Sequence, residues 1–136
     1  MGQQQLLLIV LGVIIVGIAV VVGINLFNAN AEESTKDTLV SEGTNLGAMA
    51  QQYFKKPVAL GGGGNSFVGF GSAPQAGVPG QLLPPELTTT ASATWAISGL
   101  SATNATITGD PLLADYTWTV VVTVTPTGIN ARVSGS

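Results

Sequence analysis

The chain has 136 residues, of which 7 are acidic and 4 are basic, and it contains no cysteine and no histidine. The lack of cysteine excludes disulfides and thiolate chemistry, and the lack of histidine removes the commonest metal ligand and the usual general base near pH 7. The formal charge is −3 and the basic pair is Lys55-Lys56, which argues against binding of a phosphate backbone; we therefore expect no nucleic acid, metal or cofactor.

An uncharged apolar run dominates the N-terminal part of the chain. Gln3, Gln4 and Gln5 lead into Leu6 to Ile24, and no charged side chain precedes Glu32. A helix rises about 1.5 Å per residue, so these residues reach roughly 29 Å, which is close to the hydrocarbon thickness of a bilayer. The segment must lie in lipid, be cleaved off, or pack against copies of itself.

Three glycines, Gly12, Gly17 and Gly23, interrupt this run. Each costs about 1 kcal/mol relative to alanine in a helix interior. Two interpretations stay open, namely helix flexibility or close helix approach inside an assembly, and the ordinary occurrence of glycine in transmembrane helices.

The pattern becomes amphipathic from Asn25 to Lys56. Apolar or small residues spaced three or four apart predict that the helix continues and covers another element with one face. The stripe comprises Leu39, Gly43, Leu46, Ala50 and Tyr53, and it is widened by Val40, Gly47 and Phe54. Because Pro57 stops a helix, we predict that the helix ends at Lys56 and that an N-terminal stem occupies residues 1–57.

Residues 58–86 are rich in glycine and proline and predict a linker and loop. Gly61, Gly62, Gly63 and Gly64 predict a hinge between stem and head, since no Gly-Lys-Ser/Thr follows that would indicate a phosphate loop. The segment from 66 to 70 is a candidate short strand, and residues 71–85 predict an extended surface loop.

Residues 87–136 predict a small antiparallel β-sheet head, because apolar and polar side chains alternate with a period of two. Turns are expected at Gly99, at Gly109-Asp110-Pro111 and at Pro126-Thr127-Gly128. The predicted covered faces are Ala91, Ala93, Trp95 and Ile97; Thr103, Ala105 and Ile107; and Trp118, Val120, Val122 and Val124. The fold class is therefore α+β, a long hydrophobic and amphipathic N-terminal helix followed by an antiparallel sheet.

The N-terminal sequence departs from the usual pattern of a secretory signal peptide and from that of a single-span membrane anchor. Ala29-Asn30-Ala31 has the small residues of a secretory cleavage site, but the apolar run exceeds the usual 7–15 residues and no Lys or Arg precedes it. The same lack of flanking Lys or Arg is unusual for a single-span anchor.

The arrangement resembles the type IV pilin superfamily, which includes pseudopilins and archaeal pilin-like subunits. The residues that carry the resemblance are the polar Gln3-Gln4-Gln5 before Leu6-Leu7-Leu8-Ile9-Val10-Leu11-Gly12, the amphipathic continuation to Lys56, and the β-rich region from Leu87. The resemblance implies a precursor cut by a prepilin peptidase, held in the membrane, and then built by pilus assembly machinery into an extracellular, cell-surface filament of many copies.

One position departs from the bacterial pattern. Bacterial pilins usually carry Glu five residues into the mature chain, and Gln5 holds that place if Met1 is the mature start. An amide accepts a hydrogen bond from the N-terminal amine but does not cancel its charge, so Gln3, Gln4 and Gln5 would form a polar cap together.

We therefore expect a structural filament subunit rather than an enzyme. The expected filament-core packing residues are Leu6, Leu7, Leu8, Ile9, Val10, Leu11, Ile14, Ile15, Ile18, Val21, Val22 and Ile24. The alternative is a single-span, membrane-anchored β-sheet binding module. Asp110 and Asp115 flank a turn and are the weak candidates for acid–base chemistry, and Asn104 begins a possible glycosylation sequon.

Overall fold

A computed structural model describes residues 2–113 and 115–135. The elements are helix α1 (Gly2–Lys55), a 3₁₀ turn (Val58–Leu60), a short helix α2 (Pro85–Thr88) and strands β1 (Ala93–Ser98), β2 (Ala105–Pro111), β3 (Thr119–Thr125) and β4 (Gly128–Ser134). The chain divides into two compact units between Ser34 and Thr35. The predicted α+β class, with a long helix before an antiparallel sheet, is confirmed.

The four strands form one antiparallel sheet in the order β1-β2-β3-β4. Each strand pairs with the next in sequence, because short turns join consecutive antiparallel strands. The Pro126-Thr127 turn is the tightest of these, since Thr125 pairs directly with Gly128. Side chains alternate between a buried face and a face rich in threonine and serine, as the period of two predicts.

Residues 35–55 of α1 cover the apolar face of this sheet within the C-terminal unit. All five residues of the predicted stripe are buried, and Gly47 is buried with them, whereas Val40 and Phe54 are half-buried against the same core. The core comprises Leu39, Leu46, Ala50, Tyr53, Phe67, Phe70, Leu83, Ala93, Trp95, Ala105, Ile107, Trp118, Val120, Val122 and Val124. Burial of this apolar surface is the main stabilising term of the unit.

Close approach of helix and sheet depends on Gly43. A Cβ atom on Gly43 would lie 2.6 Å from Cγ2 of Val122 and 2.8 Å from Cη2 of Trp95. Gly47 is nearly as tight, since its Cβ would lie 3.0 Å from Cγ2 of Ile129. Any larger side chain at Gly43 would therefore force Val122, Trp95 or the helix itself to shift.

The four-glycine run forms a hydrogen-bonded cap on α1. The amides of Gly63 and Gly64 donate to the carbonyl oxygens of Tyr53 and Lys56 at 2.8 and 3.0 Å, which satisfies acceptors that the helix end leaves open. Gly61 and Gly64 have φ values of +87° and +58°, which glycine adopts without strain. The structure thus assigns these glycines a capping geometry, and the predicted hinge motion stays a prediction.

The turn expected at Gly109-Asp110-Pro111 was wrong. These residues belong to β2, where Gly109, Asp110 and Pro111 pair with Trp95, Thr94 and Ala93. Glycine is needed there for packing, because a Cβ on Gly109 would lie 2.5 Å from Cζ3 of the Trp95 indole. The chain turns only after Pro111.

The stretch between the helix cap and β1 differs from its prediction in three places. No strand forms at residues 66–70, which lie in turns with Phe67 and Phe70 buried and a single bridge from Phe70 to Gln81. Helix α2 was not predicted, although Pro85 suits the first helical position. Ala91 and Thr103 are exposed because β1 and β2 begin two residues later than the alternation suggested.

Replacing Gly43 with valine should destabilise the C-terminal unit. The added side chain overlaps Val122 and Trp95, and overpacking of this kind costs about 1–3 kcal/mol or more in the free energy of unfolding. Ser41→Val is the matched control, because Ser41 is exposed on the same helix. Denaturant unfolding followed by tryptophan fluorescence measures the difference, and equal midpoints for the two variants would contradict the packing described here.

Tyr53→Phe should change how stability depends on pH. The Tyr53 hydroxyl donates to the Val68 carbonyl at 2.7 Å, and burial raises the pKa of Tyr53 above its usual value of about 10. A raised pKa in the folded state means that stability is full below pH 10 and falls as the pH rises towards the folded pKa.

The Tyr53→Phe variant loses about 1 kcal/mol at neutral pH, through the missing hydrogen bond. As the pH rises above about 10, the free energy of unfolding of this variant should fall less than that of the wild type, because phenylalanine cannot ionise. Urea unfolding at several pH values gives both curves, and parallel curves would contradict the effect of burial.

Candidate assembly surface

The apolar segment from Leu6 to Ile24 is exposed along its whole length in the N-terminal unit. Its large side chains retain between 48% and 69% of their accessible surface. The side chains of residues 2–31 carry no charge. This part of α1 is long and apolar enough to cross a membrane. Such a surface is unfavourable in water, so it requires lipid or protein around it.

All twelve predicted packing residues lie on this exposed segment. The polar cap residues Gln3, Gln4 and Gln5 are also helical and exposed, and they occupy the first turns of α1. The structure places the two sets next to each other along one helix, as the sequence order requires. Their roles in a filament stay predictions.

The glycines of this segment have no packing role within the chain. A Cβ atom on Gly12, Gly17 or Gly23 would meet nothing within 4 Å. At about 100° per residue, Gly12 and Gly23 lie roughly 20° apart around the helix, whereas Gly17 is about 140° from Gly12. Gly12 and Gly23 thus share one face, on which another helix could approach closely.

The C-terminal unit builds its core without this segment. Leu39 is the first buried residue among those that the structure describes, and each core residue follows it in the chain. One helix therefore contributes a buried stripe in its second half and an uncovered apolar surface in its first half. The uncovered half is the candidate assembly surface.

Two charged side chains of the amphipathic half make contacts that the sequence pattern did not reveal. Oε2 of Glu42 accepts hydrogen bonds from Nε1 of Trp95 at 3.2 Å and from Oγ1 of Thr90 at 3.0 Å. Nζ of Lys36 lies 5.5 Å from the centre of the Trp118 ring, which stacks on Tyr116. These contacts join the helix to the sheet. They link residues that are far apart in the sequence, so the spacing of apolar residues does not predict them.

The other predicted positions fall into different surroundings. Trp95 and Trp118 are 4% and 1% exposed, so core packing is their role in the monomer. Asn104 is exposed immediately before β2, and its modification stays a prediction. Asp110 and Asp115 are both exposed, and within residues 2–113 and 115–135 no cluster of three acidic residues could hold a metal ion.

Comparison with protein-family models, with curated proteins and with solved structures gave no match. The architecture itself, a long apolar N-terminal helix followed by a small antiparallel sheet, fits the pilin fold in general.

A chain that starts at Glu32 should keep the C-terminal fold and remain soluble without detergent. Every core residue lies beyond position 32, and the exposed apolar segment is removed. Size-exclusion chromatography and circular dichroism measure this directly, with the full-length chain in detergent as the reference. Aggregation of the shortened chain, or loss of its β-sheet signal, would contradict the division into two units.

Proposed function

We propose that this protein is a structural subunit of an extracellular type IV pilus-like filament. The observation that supports this most strongly is the uncovered, uncharged surface from Leu6 to Ile24 on a helix whose second half is packed against a small sheet. Many copies would bury this surface against one another in a helical bundle, with the sheets outside.

The driving force for such a bundle is removal of apolar side chains from their surroundings. Full burial of a leucine, isoleucine or valine side chain is worth about 1.5–3 kcal/mol when it leaves water. When it leaves lipid instead, the gain comes from close packing, which small residues such as Gly12 and Gly23 favour. The sequence places both kinds of residue in the same segment.

Before assembly the same segment would hold the subunit in a membrane. Its length matches the hydrocarbon core, and the resemblance to pilins implies a prepilin peptidase and assembly machinery that act on the membrane-inserted form. Open helical growth requires two different faces on each subunit, so the contacts between copies are heterologous.

The second candidate function is a membrane-anchored binding module that remains a monomer. The membrane-spanning length of the apolar segment favours it equally. The two candidates differ in where the protein is found, since a filament subunit enters material sheared from the cell surface. An anchored module stays with the membrane fraction until detergent releases it.

Ile15→Asp should abolish filaments in the sheared fraction. Ile15 lies near the middle of the apolar segment, and an aspartate at the centre of an apolar helical bundle or membrane costs about 2.5–3.5 kcal/mol. Ser41→Asp is the matched control, because it adds the same charge to an exposed position in the second half of α1. Electron microscopy and quantification of sheared protein give the readout.

Three outcomes separate the candidates. Filaments from the wild type and from Ser41→Asp, without filaments from Ile15→Asp, support the proposed function. Normal filament yield from Ile15→Asp contradicts the packing hypothesis. Wild-type protein that is confined to the membrane fraction favours the anchored module.

A further inference from the structure

The C-terminal unit has two opposite ends along its helix axis, defined by contacts within the unit. Lys36 lies over Trp118 just before β3, whereas Nε2 of Gln51 donates to the carbonyl oxygen of Thr125 at the end of β3. Helix α1 thus runs alongside β3 in the same direction. The two ends are separated by about 28 Å, the rise of the helix from Lys36 to Lys55.

The end at which α1 stops combines positive charge with an apolar groove, and we call it the basic end. Lys55 and Lys56 are exposed there, and the sequence from 55 to 85 contains no acidic residue. A groove of about 280 Å³ includes Val58, two residues beyond Lys56 in the chain. Its lining includes Val58, Pro74, Val78 and Pro79. Val58 and Val78 are 57% and 48% exposed in this groove.

The opposite end combines negative charge with exposed leucines, and we call it the acidic end. It consists of residues 110–113 and 115, which follow the pairing of Gly109 with Val120 near the start of β3. Leu112 and Leu113 are exposed, as are Asp110 and Asp115 on either side of them. Lys36 lies at the same end, over the Trp118 ring.

We propose that the acidic end of one copy docks on the basic end of the next copy. Leu112 and Leu113 would enter the groove beside Val58 and Val78, and the flanking aspartates would face Lys55 and Lys56. The two ends are complementary in polarity and in charge. Apolar side chains meet an apolar groove, and two negative charges meet two positive charges. The partner is therefore a second copy of this chain.

This contact can repeat from one copy to the next. The two surfaces differ and lie at opposite ends of one unit, so each copy that binds presents a free surface for the next. The inference rests on the proposed function, because it supplies the contact between sheets that accompanies packing of the apolar segments. It also makes the contact sensitive to salt, because attraction between exposed charges weakens as the ionic strength rises.

Disulfide trapping tests the contact directly, because the chain has no cysteine of its own. The variant with both Leu113→Cys and Val78→Cys is expressed at full length and oxidised mildly in membranes and in sheared material. The two sites lie at opposite ends of the C-terminal unit, far beyond the distance of about 7 Å between Cα atoms that a disulfide allows. Head-to-tail contact therefore yields a ladder of dimers, trimers and higher multiples on a non-reducing gel.

Two controls test whether the ladder requires one cysteine at each end of the unit. Either single cysteine variant can give dimers at most. A variant with Leu113→Cys and Asn130→Cys should give no ladder, since Asn130 is exposed on β4 opposite Thr123 and does not line the groove.

Charge reversal tests the electrostatic part of the same contact. In the double-cysteine background, Lys55→Glu with Lys56→Glu should weaken the ladder about three- to tenfold, the scale expected for two exposed ion pairs. Asp110→Lys with Asp115→Lys should weaken it similarly, and the combination of all four changes should restore it. Arg132→Glu, which changes an exposed charge in mid-strand, should leave the ladder unchanged.

The outcomes separate this inference from the proposed function. Filaments with a ladder and with recovery in the combined variant support both. Filaments without a ladder, or a ladder that is indifferent to charge reversal, overturn the inference and leave the filament proposal standing. A ladder in membranes without any filament supports the end-to-end contact and counts against the filament proposal, and the absence of both overturns both.

Discussion

The arrangement of the C-terminal unit depends on how closely one indole ring is enclosed. Trp95 lies between Gly43 of α1 and Gly109 of β2, and neither position leaves room for a Cβ atom. Its Nε1 donates to Glu42 from the same helix, so the ring is fixed by both contact and hydrogen bonding. The distance between helix and sheet, and hence the burial of the whole stripe, follows from this one enclosure.

A single helix thus meets two different physical requirements. Its second half gains stability by covering the sheet, where Leu39, Leu46 and Tyr53 are fully or almost fully buried. Its first half gains nothing within the chain, because each large side chain from Leu6 to Ile24 stays about half exposed or more. Packing of the core is therefore confined to the second segment of one element, and a change in the first segment need not affect it.

The periodic spacing of apolar residues in the sequence predicted the elements that bury one face. Spacing of three or four residues identified the buried stripe from Leu39 to Tyr53, and alternation identified the covered faces of β1, β2 and β3. Gly109 was misassigned because glycine serves both turns and close packing, and sequence spacing does not distinguish them. The cap at Gly61–Gly64 and the contacts of Glu42 and Lys36 depend on neighbours distant in the chain, which no local pattern specifies. The apolar surface was evident from the uncharged run between Leu6 and Ile24.

The uncharged side chains of residues 2–31 have a consequence for energetics across a polarised bilayer. Moving one elementary charge through a membrane potential of 100 mV changes its energy by about 2.3 kcal/mol. When the apolar segment lies in a bilayer, its side chains carry nothing on which that field can act. Withdrawal of the segment from lipid is therefore electrically silent as far as its side chains are concerned, and voltage neither assists nor opposes their movement.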